Sequence, residues 1–323
     1  MTHFASDPWQ FLGWNPWAGL QDCATGAAMP APAPGQGSFV AGVFEFGAHT
    51  LHYKLFIPSN AGAASLPLVV MLHGCGQGAD DFALGTGMNA LAEQAGCMVL
   101  YPEQSPQAHW NRCWNWYDQA HHERDEGEPA LIAGLVQHVI AEYGIDRSRV
   151  AVAGLSSGGA MAVILGRTYP DVFSAVGCHS GLAHRSAFDG ASAMMAMREG
   201  AGPDLLESAR PLASIPTIVF HGDVDYTVHQ NNSADVIRQA LACYAGQVPG
   251  LARETAMCEH TGETSGRSFT RHTHHGETGD VVAERWIVHG TGHAWSGGSS
   301  QGSYTDARGP DASKEMLRFF MKQ

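Results

Sequence analysis

Arg149-Val150-Ala151-Val152-Ala153-Gly154-Leu155-Ser156-Ser157-Gly158-Gly159-Ala160 is the stretch that decides the fold of this 323-residue chain. Val150–Ala153 is a short apolar strand with no polar side to show to water, as expected of a parallel sheet covered on both faces. It runs directly into Gly-x-Ser-x-Gly and then into a helix of small residues. This is the layout of a nucleophile elbow, in which a sharp strand-to-helix turn lifts one serine hydroxyl above the sheet. Gly154 and Gly158 flank the turn because side chains there would collide with it. Ser156 is therefore a candidate catalytic nucleophile.

With 39 glycines in 323 residues, chance alone supplies roughly 0.3 matches to such a pentapeptide. A second match stands at Gly298-Ser299-Ser300-Gln301-Gly302. No apolar strand precedes it and no helical run follows, so it reads as a glycine-serine loop.

Around the elbow the chain alternates strand and helix. Leu51, Tyr53, Leu55 and Ile57 alternate with His52, Lys54 and Phe56, as in a half-buried antiparallel strand. Leu66–Leu72 is a continuous apolar run, and Cys97–Tyr101 is another buried strand. Helical patterns cover Ala83–Gln94, Glu128–Tyr143 (stopping at Gly144) and Ser313–Met321, with further strands at Val172–Cys178, Thr217–Phe220 and Val281–Val288. This alternation predicts a mostly parallel, doubly wound α/β sheet with helices on both faces, carried by one domain over 38–323. Residues 1–37 differ. Trp9, Phe11, Leu12, Trp14, Trp17 and Leu20 crowd a short segment ahead of a Pro-Gly-rich linker at 30–37. That extension either docks on the domain's own surface or offers an attachment patch to a partner subunit, such as a second copy in a homodimer, or to an apolar polymer.

A net charge of −13, with 15% charged and 44% hydrophobic residues, argues against nucleic acid or an anionic membrane as the main partner. No segment has the length of a transmembrane span, and the N-terminus lacks the basic start and apolar core of a signal peptide. The expectation is a cytoplasmic protein, or a secreted or periplasmic one if a signal peptide has been lost from the chain as given. Seven cysteines are spread out without metal-type spacing.

Serine hydrolysis needs a histidine to take the proton, a carboxylate to fix its tautomer and amides to hold the oxyanion. Two acids, Asp223 and Asp225, follow the strand Thr217–Phe220; Asp225, further out on the loop, is preferred. His293 lies in the glycine-rich loop after Val288, with His289 at the strand end as runner-up. The amide after the nucleophile, that of Ser157, is one oxyanion donor. The loop His73-Gly74-Cys75-Gly76-Gln77-Gly78 supplies the second, with the Cys75 amide preferred. It lacks the lysine and spacing of a phosphate cradle. Trp295, two residues from His293, and Trp114 and Trp116 are candidates for an acyl-binding site, while Met194, Met195 and Met197 lie in an insertion (182–210) suited to capping the cleft. His272, His274 and His275 alternate on a polar strand and read as solvated, not as a metal centre. The chemistry requires no metal and no organic cofactor.

At these residues the chain resembles the polyhydroxybutyrate (PHB) depolymerase family of esterases, with feruloyl and acetylxylan esterases as relatives. Five segments in one order carry the resemblance: His73-Gly74-Cys75, Cys113-Trp114-Asn115-Trp116, Gly154–Gly159, His221-Gly222-Asp223-Val224-Asp225 and Gly292–Gly298. The resemblance implies an α/β-hydrolase with Ser156, Asp225 and His293 as triad and His73-Gly74-Cys75 as oxyanion loop, acting on 3-hydroxyalkanoate polyester or oligomers. A further expectation is a disulfide from Cys113 to Cys75, stapling that loop. Rival readings are a feruloyl or acetylxylan esterase, a hydrolase of another polymer such as poly(aspartic acid), and a non-catalytic module that binds polyester granules.

Overall fold

The apolar runs become strands because each can bury both faces. In the computed structural model, which describes residues 37–62, 65–202, 215–245 and 255–323, ten strands form one sheet. They are β1 (Ser38–Phe46), β2 (His49–Ile57), β3 (Leu68–Leu72), β4 (Met98–Glu103), β5 (Val150–Leu155), β6 (Ala175–His179), β7 (Thr217–Gly222), β8 (Ala256–Thr264), β9 (Arg267–His275) and β10 (Val281–Val288). Their order is β1-β2-β4-β3-β5-β6-β7-β10-β9-β8. The block from β4 to β10 is parallel, and antiparallel pairs close both sides. The aromatic extension expected over 1–37 lies outside the described residues except for Gly37, as does the end of the 182–210 insertion.

Period-two alternation divides the core. Val70 and Leu72 of β3, with Val152, Val176 and Val219, pack under the helices α3 (Gly127–Tyr143), α4 (Ser157–Thr168), α5 (Gly190–Glu199) and α6 (Asn231–Ala245). Val69 and Met71 face the other way, with Ala153, Ile218 and Phe220, against α1 (Ala79–Thr86), α2 (Met88–Ala95) and α7 (Ala312–Phe320). Successive side chains of a strand point to opposite faces, so one apolar run feeds two cores.

Strand ends shift by one or two residues from the sequence reading, and three differences are larger. The helix expected over Ala83–Gln94 is two helices, because Gly87 adopts φ +62° between them. The strand expected from Val172 starts at Ala175, because Val172 and Phe173 donate their amides back to the Tyr169 carbonyl in a turn. A polar hairpin, β8–β9, turning at Ser265-Gly266, widens the sheet; β8 is almost wholly exposed and so carries no apolar alternation to read. Among the described residues no helix is long and apolar enough to cross a membrane.

Candidate active site

Three loops leave the carboxyl ends of β5, β7 and β10. Strands β5, β6, β7 and β10 are successive neighbours, so these loops meet along one rim, the place where sites form in sheets of this type.

Ser156 holds φ +57°, ψ −119°, a strained conformation for a residue with a side chain. It persists because its surroundings leave no alternative. The Ser156 amide donates to the His179 carbonyl (2.9 Å), and helix α4 starts at the next residue. A Cβ on Gly158 would strike the Leu72 and His73 carbonyl oxygens, and one on Gly154 would strike the Gly158 backbone. Both glycines of the elbow are therefore fixed by close backbone approach.

On the acid loop, Asp225 is buried, with its Oδ1 accepting the amides of Thr227 and Val228 at 2.9 Å each. Its Oδ2 lies 2.7 Å from Nδ1 of His293. A carboxylate only accepts, so Nδ1 carries the proton and Nε2 of His293 is the basic nitrogen. Burial pushes the Asp225 carboxyl up, but His293, His221 and the Val228 amide outweigh it and hold the group at about 2. It stays ionised across the working range of any esterase. His221, fully buried, donates from Nε2 to the Val228 carbonyl (2.7 Å) and closes the same loop; burial brings its imidazole down to about 4.

The two runner-up residues of the sequence reading bind each other. Nδ1 of His289 lies 2.8 Å from Oδ2 of Asp223, whose Oδ1 accepts the Gly290 amide (2.7 Å). Nε2 of His289 is 3.0 Å from Oγ1 of Thr270. With Asp223 N–H to Val288 O and Val224 N–H to Thr291 O, this pair laces the acid loop to the histidine loop.

Opposite the elbow stands the loop after β3. The Gly74 amide donates to Oε1 of Gln77 (2.9 Å) and the Gly76 amide to the Asn111 carbonyl (2.7 Å). Among the described residues the Cys75 amide donates to no oxygen. Ser157, as first residue of α4, has no carbonyl a turn earlier to receive its amide. Among the described residues no protein acceptor takes up either N–H group. A disulfide joins Cys75 to Cys113 and ties this loop to the one carrying Trp114.

Behind it runs a buried polar network that sequence reasoning missed. Glu128 accepts from Gln104 Nε2, from Asn115 Nδ2 (2.6 Å each) and from the Asn115 amide. The Gln104 amide donates to Nε2 of His73, whose Nδ1 donates to the Gly74 carbonyl (2.8 Å). Burial lowers the His73 imidazole, which both bonds require to be neutral. Only distance in sequence hid this set; each member looks ordinary alone.

The three candidate tryptophans are buried. Trp114 and Trp295 are 1% exposed; the first donates its indole N–H to the His73 carbonyl and the second to Oγ of Ser313. Trp116 is buried too. Trp114 is thereby tied to the loop after β3, and Trp295 to α7. Met197 is core, whereas Met195 is exposed. His272 pairs with Glu259 across the polar hairpin, and among the described residues no three potential ligands converge on a metal position.

An elbow serine, a buried Asp-His pair and two free amides on a doubly wound sheet define the α/β-hydrolase fold class. The chain belongs to the family described as "Esterase PHB depolymerase", whose model matches residues 51–263, a span that includes Ser156 and Asp225 but ends before His293. It is 31% identical over 268 residues to the poly(3-hydroxyalkanoate) depolymerase C of Paucimonas lemoignei, covering 78% of this chain and 60% of that protein. It is 39% identical over 126 residues to a feruloyl esterase B of Neurospora crassa, covering 39% and 42%. The chain thus spans less than two thirds of the length of these relatives. An acetyl xylan esterase structure from Aspergillus awamori matches the fold with a TM-score of 0.63 at 20% identity, over 84% of this chain and 94% of that one.

Proposed function

We propose that this protein is a serine hydrolase of carboxylic esters, acting on 3-hydroxyalkanoate polyester or its oligomers. The observation that carries the reading is the buried Asp225–His293 pair, 2.7 Å apart, on the same sheet rim as a serine strained into positive φ. Ser156 Oγ attacks the ester carbonyl while Nε2 of His293 takes its proton. Asp225 holds the ring and stabilises the imidazolium. The amides of Cys75 and Ser157 bind the oxyanion, each donor contributing about 3 kcal/mol in the transition state. His293 then gives the proton to the leaving alcohol, and water releases the acyl group by the same route.

Ser156→Ala should lower kcat by about 10⁶-fold and abolish labelling by a fluorophosphonate; a variant retaining most activity overturns the assignment and restores the granule-binding reading. The kinship with a feruloyl esterase B favours a second substrate reading, an aryl or acetyl ester on polysaccharide. A panel of 3-hydroxybutyrate oligomers, feruloyl esters and acetylated xylan, compared by kcat/KM, decides between them. The Cys75–Cys113 disulfide supports an oxidising compartment rather than the cytoplasm, since such bonds persist where thiols are not kept reduced.

A further inference from the structure

His179 ends β6, between the strand that carries the nucleophile and the strand that leads to the acid. Its side chain is fully buried. Its carbonyl accepts the Ser156 amide at 2.9 Å. Its Nε2 accepts the amide of Ser296, three residues beyond His293, at 3.0 Å. Ser296 is itself 0% exposed, so that amide has no access to water. Nδ1 of His179 lies 3.1 Å from Oγ of Ser180. The ring stacks on Trp295 with centroids 5.0 Å apart and planes at 24°, and on Phe220 at 5.9 Å and 16°. One residue therefore touches the nucleophile loop with its backbone and the histidine loop with its side chain.

We propose that His179 is a positioning residue that sets the separation of Ser156 and His293. This rests on the reading of those residues as catalytic. To accept from Ser296, Nε2 must carry no proton, so the ring is the neutral Nδ1–H tautomer, with Nδ1 donating to Ser180. Burial first, and then the neighbouring imidazoles of His221 and His293, pull its ionisation well down, against the opposing pull of Asp225. The neutral form is thus the one the site maintains. A loop that carries a general base must be held to a fraction of an ångström, because a misplacement of about 1 Å can cost on the order of 10² in rate. Backbone bonds from Trp295, Gly297 and Gly298 of the loop 290–298 tie it to Tyr304, Arg308 and Asp306, and none of these reaches the strand behind the elbow. The Ser296–His179 bond ties the loop to β6, whose His179 carbonyl also holds the Ser156 amide.

The test compares two substitutions in the full-length protein. His179→Phe keeps the stacking face and volume but removes the acceptor. His179→Gln restores an acceptor near the Nε2 position. The expected result for Phe is a kcat lower by about 10- to 100-fold, KM within twofold, and fluorophosphonate labelling of the folded fraction slowed in parallel. Gln should recover most of that loss. Equal impairment of Phe and Gln, or labelling of folded His179→Phe at the wild-type rate, overturns the proposal. Should the Phe variant not fold, ¹⁵N-histidine NMR of the unaltered protein decides: an Nδ1–H tautomer for this ring supports the proposal, and an Nε2–H tautomer sinks it. Retained activity in Ser156→Ala would instead fail the catalytic reading itself, so the two failures are distinguishable.

Discussion

Asp225–His293 and Asp223–His289 are built from the same residue types on the same two loops, with carboxylates two residues apart and imidazoles four apart. Their distances scarcely differ, 2.7 and 2.8 Å. Their surroundings do. The side chains of the first pair are 0% and 8% exposed, those of the second 27% and 39%. Away from water, a carboxylate's field on its partner is strong and the orientation it imposes is stiff. At the rim the same bond competes with solvent and contributes little beyond tethering. Burial, more than geometry, separates a pair suited to proton transfer from one that fastens two loops.

The comparison breaks most visibly in Asp225→Asn. The amide would favour the wrong imidazole tautomer, so kcat should fall by about 10⁴ while Asp223→Asn stays within about tenfold of the unaltered enzyme. Equal losses in steady-state assays would reverse the two assignments. Next in size is a pH effect on stability. The Asp225 carboxyl is lowered in the fold from its ordinary 3.8 to about 2. The folded state therefore binds that proton more weakly than the unfolded chain, and the ionised carboxylate stabilises the fold above about pH 4. That contribution should fade as pH falls toward 2. Urea unfolding of the unaltered protein and of Asp225→Asn should converge over that interval; a constant gap would contradict the depressed ionisation. The smallest effect belongs to His289→Gln, which gives up the link to Asp223 but leaves the Gly290 amide on that carboxylate. Its kcat should drop by no more than about threefold, and a larger drop would show that the outer pair does more than tether.

The same contrast explains what could be read in advance. Two Gly-x-Ser-x-Gly segments occur, and the apolar run Val150–Ala153 was enough to choose between them, because a strand buried on both faces must be continuously apolar. Ser300, in the other match, lies exposed in a turn whose neighbours Ser299 and Gly302 press on Gly85. Asp225 and His293 were reachable from their places after strands β7 and β10. The burial of Trp114, Trp116 and Trp295 was not legible, because proximity in sequence to His293 or Cys113 says nothing about which way a ring turns. Glu128, Gln104 and His179 left no local signal at all. Their importance is a matter of partners 9 to 117 residues away.

Residue order alone determined the alternation of strands and helices, the elbow and the loops that carry the candidate site residues, because periodicity and glycine placement are local properties of a chain. Tertiary structure decided which acid meets which histidine, which amides remain free and which rings are sealed into the core. Those outcomes depend on burial and on hydrogen-bond partners drawn from distant strands, and neither exists until the sheet has closed around them.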